Sequence, residues 1–181
     1  RAVGKEKLFN SSSNYRFFLK KLNYYLLGYV DLYSYCLMSN HFHFVIKVKA
    51  YEDILTEYKK RPNYNPNKPL RSEDAPNIVS RQFGHLFNSY SQAYNKENDR
   101  RGSLFKNRFQ REHINTEKYL RNLILYVHNN PVKAGIVWHP ENWEFSSYNP
   151  INSKGDTILK RKEVIELFDD LDNFKHCHHL P

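Results

Sequence analysis

The chain has 181 residues, enough to bury a hydrophobic core, and is expected to form one domain. Lys and Arg number 28 against 19 Asp and Glu, a net charge of +9 that points to a polyanionic partner. No apolar run reaches the length of a bilayer span and no signal-peptide pattern is present, so nucleic acid is preferred to a membrane and a cytoplasmic location is expected.

Taken in chain order, Ser11, Ser12, Ser13 and Asn14 offer caps for a first helix, in which Phe17, Phe18, Leu22, Tyr25 and Leu26 recur at helical spacing. Gly28 is expected to stop it. Residues 29–37 read as a strand rich in β-formers, Met38-Ser39-Asn40 as a turn, and residues 41–49 as a second strand, together an antiparallel hairpin. On the second strand, Phe42, Phe44, Ile46 and Val48 are expected to face the core. His41, His43, Val45, Lys47 and Lys49 would form an outward, basic face suited to phosphate.

Residues 61–75, rich in Pro, Asn and Lys, read as a long loop, followed by a helix from an Asn77 cap to about Asn95. Residues 104–114 are amphipathic and carry a basic cluster, Lys106, Arg108 and Arg111, beside Phe105 and Phe109. Asn115 or Thr116 caps the next helix, with Tyr119, Leu120, Leu123, Ile124 and Val127 as its buried stripe and Pro131 expected to end it at Asn130. A short strand or turn at 143–148, an amphipathic helix over 157–171 and a frayed tail bearing His176, His178 and His179 complete the chain.

Two stretches carry chemistry. Residues one apart in a strand's alternation share a face, so His41 and His43 can offer two neutral imidazoles to one divalent ion if a third group reaches it. An open site of this kind suits Mg²⁺ or Mn²⁺ with positions left for phosphate oxygens; a closed structural zinc site would call for four ligands, usually with Cys. Tyr126 and Asn130 stand one helical turn apart. Alone, each reads as an ordinary residue at a helix edge; with the histidine pair they read as a nucleophile and a third ligand. Most of the 14 Tyr and 12 Phe are expected to fill the core, with some able to stack on unpaired bases. Cys36 and Cys177 lie far apart in no metal spacing, as in a reducing compartment.

The stretches 35–43 (YCLMSNHFH), 101–105 (RGSLF), 126–135 (YVHNNPVKAG) and 143–148 (WEFSSY), in this order, resemble the single-tyrosine HUH transposases, the insertion-sequence-200-like enzymes, and within them the REP-associated branch. The resemblance covers roughly residues 1–148. It implies an α+β, ferredoxin-like antiparallel sheet with helices packed on one face, the HUH single-strand endonuclease fold. The histidine strand would be central, and the tyrosine helix would lie beside it. The catalytic domain would occupy residues 1–151, its first strand mostly upstream of Arg1, and residues 152–181 would be an added C-terminal helix and tail. Ser39 stands where the family usually has Pro, and some relatives carry Gln at the position of Asn130.

The roles implied are His41, His43 and Asn130 as ligands of Mg²⁺ or Mn²⁺ and Tyr126 as nucleophile. Lys47, Lys49, Lys106, Arg108 and Arg111 are candidate DNA contacts. The metal would polarise the scissile phosphate while Tyr126 attacked, giving a 5′-phosphotyrosine and a free 3′-OH that can later rejoin strands without ATP. The substrate would be single-stranded DNA beside a hairpin, and a homodimer is left open. Three other readings stand beside this transposase: a domesticated DNA-binding protein that does not cleave, an HUH nickase of rolling-circle replication or plasmid mobilisation, and an RNA-binding ferredoxin-like domain. Intact Tyr126, His41 and His43 favour the enzyme, and no aromatic RNA-recognition motif is evident.

Overall fold

In a computed structural model that describes residues 1–62, 64–67, 70–106 and 109–180, the chain is an α+β protein built on an antiparallel hairpin. Strand β1 (Val30–Met38) turns through Ser39 and Asn40 into β2 (His41–Val48), and these two strands are the regular sheet among the described residues. The two-residue link and the alternating β-branched and aromatic side chains account for the hairpin.

The strand faces differ from the expectation. Eight of the nine β1 residues are buried, so both faces of β1 are covered, whereas β2 is only partly buried. The inner strand is therefore β1, not the histidine strand. Within β2 the one fully buried residue is Val45, on the histidine face, while Val48 is half exposed. Phe42 and Phe44 stack on each other at 4.8 Å and keep partial exposure. Both faces of β2 are thus partly covered, the histidine face most fully at Val45, and the expected split into a core face and a basic outward face does not hold.

The chain divides into two compact units. Unit 1 comprises residues 1–10, 32–46 and 106–181; unit 2 comprises residues 11–31 and 47–105.

Unit 2 is helical. Helix α1 (Ser12–Leu26) starts at Ser11, whose hydroxyl accepts the Asn14 N–H, and buries Tyr15, Phe18, Leu22 and Leu26 at helical spacing. Helix α2 (Tyr51–Lys59) is additional to the expected elements; its buried residue is Ile54. Helix α3 (Ala75–Glu97) begins two residues before the expected Asn77 cap, with Pro76 in its first turn, where the missing N–H costs nothing. Phe18 meets Tyr90 edge-on at 4.9 Å, and Phe87 packs on Phe105 at the same distance. Burying side chains of this size stabilises by about 1.5–3 kcal/mol each. Gly28 is not a left-handed cap; the Glu57 side chain occupies the space a Cβ would need.

In unit 1, segments without regular structure complete the sheet. Leu37 N–H donates to Phe145 O, Ser147 N–H to Tyr35 O and Lys160 N–H to Leu32 O, so residues 145–147 and 159–160 pair with β1. The Trp143 indole donates to Leu37 O at 3.0 Å. Residues 1–10 wrap the hairpin turn, with Ala2 N–H on Asn40 O and Leu8 N–H on Ser39 O.

Helix α4 (Glu117–Lys133) starts at Thr116, whose hydroxyl accepts the Tyr119 N–H, and runs through Pro131 to Lys133 rather than ending at Asn130. Its stop is a Schellman motif. Ile136 N–H bonds Pro131 O, Gly135 N–H bonds Val132 O, and Gly135 holds φ at +66°. Gly135, not Pro131, is the terminator.

The helix expected over 157–171 is two short ones, α6 (Arg161–Glu166) and α7 (Leu171–His178), preceded by α5 (Tyr148–Asn152). The break falls where Asp169 takes φ +69° and the Asp170 carboxylate caps the Asn173 N–H at 2.8 Å. The tail is docked rather than frayed, with Phe174 and His178 buried. Among the described residues no helix is long and apolar enough to cross a membrane.

Candidate active site

Strand β2 and helix α4 of unit 1 bring four of the sequence-predicted residues together. His41 and His43 lie on one face of β2 with ring centroids 5.2 Å apart. The His43 ring meets the Tyr126 ring edge-on at 5.5 Å. One turn along α4, the Asn130 side chain hydrogen-bonds His41, and its amide nitrogen donates to Tyr126 O at 3.3 Å.

The imidazoles are tuned to be neutral. Burial lowers the His43 pKa to about 4, with the adjacent His41 and Arg1 acting in the same direction. His41 is lowered by burial as well, against a partial offset from the Asn130 hydrogen bond. At neutral pH both rings therefore offer lone pairs rather than charge.

Asn40, a turn residue by its sequence position, has a second task. Its side-chain oxygen lies 2.7 Å from His41 Nδ1. An amide oxygen only accepts, so Nδ1 carries the proton and Nε2 keeps its lone pair. Fixing the tautomer through the other ring nitrogen is how second partners orient metal-binding histidines.

Tyr126 is 42% exposed, so its phenol is open to a large substrate. The Lys133 ammonium sits 5.3 Å over its ring, two turns along the same helix. Lys133 was not among the expected site residues. Its signal was the Tyr126–Lys133 interval, which is two turns of an unbroken helix and was hidden by ending the helix at Pro131.

The expected DNA contacts scatter. Lys106 and Arg111 are exposed in unit 1, with the Arg111 guanidinium stacked over Phe109 at 5.4 Å. Lys47 is exposed, in unit 2. Lys49 is engaged within unit 2, donating to Leu27 O at 2.8 Å and facing Asp31 at 3.9 Å. Arg108 lies outside the described residues.

Behind Tyr126 and Asn130, α4 carries a buried polar chain that the sequence did not reveal. His128 is fully buried, with Nε2 2.6 Å from Ser147 Oγ and Nδ1 2.8 Å from His178 Nε2. His178 Nδ1 is 2.7 Å from Phe174 O. The carbonyl can only accept, and this sets every proton in the row: Ser147 O–H donates to His128, His128 N–H to His178, and His178 N–H to Phe174 O. Ser147 Oγ also accepts the Tyr35 N–H at 2.8 Å. The row ties the tyrosine helix to β1 and to α7 with both imidazoles neutral. Burial pushes His128 well below its ordinary pKa and His178 down to about 4.

No protein-family model matches the chain, and no curated protein matches it. Among solved structures it is similar to a REP-associated tyrosine transposase bound to a REP hairpin. The identity is 15%, the TM-score 0.53, and the match covers 86% of this chain and 77% of the other. At this identity the likeness is one of fold, and the chain shares the α+β fold of that transposase.

Proposed function

We propose that the protein is a DNA transposase of the HUH type that cleaves and rejoins single-stranded DNA next to a hairpin, with Tyr126 as nucleophile. The observation that carries this reading is the convergence of His41, His43, Asn130 and Tyr126 from β2 and one turn of α4. The similar transposase bound to a REP hairpin supports a hairpin-bearing DNA as the partner.

The donor set fits a divalent ion. Two imidazoles held neutral, one of them tautomer-fixed by Asn40, and an Asn amide within hydrogen-bonding reach supply nitrogen and oxygen donors with open positions to spare. Mg²⁺ or Mn²⁺ held by His41, His43 and Asn130 would polarise the scissile phosphate and offset charge on its oxygens.

The chain's own residues do the rest. Tyr126 attacks phosphorus through its phenolic oxygen. Its proton leaves to solvent or to a base, the bond to the 3′ oxygen breaks, and the DNA's 5′ phosphate stays on the tyrosine. The leaving 3′ oxygen takes up a proton from solvent and departs as a 3′-OH, and attack by a 3′-OH on the phosphotyrosine reverses the step. The Lys133 ammonium over the ring favours developing phenolate charge. Exposed Lys106 and Arg111 in unit 1 and Lys47 in unit 2 are the proposed phosphate contacts. Lys49 would first have to release Leu27 O and Asp31.

The test is incubation with labelled single-stranded hairpin DNA from the flanks of its own gene, with Mn²⁺ or EDTA, followed by a denaturing gel that retains protein–DNA adducts. A metal-dependent adduct lost in Tyr126→Phe and His41→Ala is the expected result. Tight binding with no adduct in any metal would instead favour a DNA-binding protein that does not cleave.

A further inference from the structure

A second cluster of metal-ligating side chains lies in unit 1 and shares no residue with the histidine pair on β2. His139, Glu141 and His179 each offer one ligand atom, and the three atoms lie within 4.8 Å of one another. His179 Nε2 is 3.7 Å from the Glu141 carboxylate, and the His139 and His179 rings are 5.6 Å apart. Within the sequence, His139 and Glu141 flank Pro140, while His179 comes from the far end of α7.

The cluster is held in place by its surroundings. Pro140 is buried and opens a short 3₁₀ turn, Pro140–Asn142, so the backbone carrying His139 and Glu141 is fixed. The Asn149 amide donates to Glu141 O at 2.9 Å. His179 follows His178, whose burial in the polar row sets the register of α7. Tyr148 Oη lies 3.4 Å from His179 Nε2. The backbone on which the three donors stand is thus fixed, and the exposed side chains themselves need only turn toward a common point.

We propose that His139, Glu141 and His179 form a zinc-type site that clamps the C-terminal helix α7 to the segment following the tyrosine helix α4. Two imidazole nitrogens and one carboxylate oxygen, with a fourth position open to water, suit Zn²⁺. Mg²⁺, which asks for oxygen ligands in octahedral array, is not held there. The site closes a loop between residues 139 and 179, so an ion bound in the folded chain stabilises it by mass action. This inference does not depend on the DNA-processing reading.

The experiment is calorimetric titration of the full chain, stripped of metal, with Zn²⁺. His41→Ala/His43→Ala protein removes the other candidate site. That variant should retain one equivalent of Zn²⁺, and adding His139→Ala or His179→Ala should abolish it, with Glu141→Gln weakening it at least about tenfold. Zn²⁺ should also slow amide hydrogen exchange in α7, and Mg²⁺ should not. The same loss of one equivalent, measured when His139→Ala/His179→Ala alone is introduced into the otherwise native chain, covers the case in which the β2 variant fails to fold. Binding retained in His139→Ala would mean that the tail histidines hold the ion by themselves and would overturn the proposal, as would an absence of saturable Zn²⁺ binding outside the β2 pair.

Discussion

Acid should destabilise unit 1 well before its carboxylates titrate, because the polar row behind the tyrosine helix is built from neutral imidazoles. His178 is 3% exposed and its pKa is lowered from 6.5 to about 4, chiefly by burial. A group that resists protonation in the folded state contributes its full stability above its unfolded pKa and loses it as pH falls toward the folded value. The window is therefore pH 6.5 down to 4. At pH 5 the unfolded imidazole is almost wholly protonated and the folded one is not, a difference worth about 2 kcal/mol. His128, depressed by burial and then by His178, adds to the loss, as do His41 and His43 in the absence of metal.

The geometry shows what protonation would rearrange. Protonated His178 would turn its Nε2–H toward the His128 N–H, so His128 would have to shift its proton to Nε2 and Ser147 its own from His128 to Tyr35 O. Ordinary carboxylates titrate near pH 4, so a comparison of pH 7.5 with pH 5 isolates the imidazoles. Both tryptophans, Trp138 and Trp143, belong to unit 1, so their fluorescence during urea denaturation in EDTA reports this unit. Unfolding free energy should fall by at least about 2 kcal/mol at pH 5, and His178→Gln should shrink that fall. Equal stability at the two pH values, or a fall that His178→Gln leaves untouched, would refute the proton assignment of the row.

Further outcomes can be stated more briefly. Tyr126→Phe should abolish the covalent adduct on a denaturing gel while leaving hairpin binding, measured by fluorescence anisotropy, unchanged. Asn40→Ala frees the His41 tautomer and should weaken Mn²⁺ binding about 10–100-fold by calorimetry, with unaltered stability of the metal-free protein. Gly135→Ala meets no neighbour within 4 Å but must hold φ +66°, so thermal denaturation should show a loss of about 1 kcal/mol from backbone strain alone. Ser147→Ala removes the hydroxyl shared by His128 and the Tyr35 N–H; two buried groups lose their partner, and urea denaturation should show a cost of about 2–4 kcal/mol.

What could be read in advance follows from the range of each interaction. The hairpin, α1 and the body of α3 were legible because their signals repeat every two or three to four residues and need no partner elsewhere. His41 and His43 were legible as a pair for the same reason. Their face was misjudged because periodicity tells which residues share a side, not which side the rest of the chain covers. The row from Ser147 to His178 was not legible: His128 falls four residues after Ile124, on the buried stripe, but its central bond joins residues 50 apart and nothing local marks its partner.

The end of α4 shows what such local rules can hide. The preference of a residue before Pro for extended backbone argues for stopping at Asn130, yet the Gly135 motif carries the helix on to Lys133. A continuous helix through Pro131 adds Lys133 to the flank that Tyr126 and Asn130 already share. Had the helix ended where the proline suggested, Tyr126 and Asn130 would still have stood one turn apart. Lys133 would not have come over the tyrosine ring. The glycine five residues beyond Asn130 thus helps to set the geometry of the candidate active site without touching it.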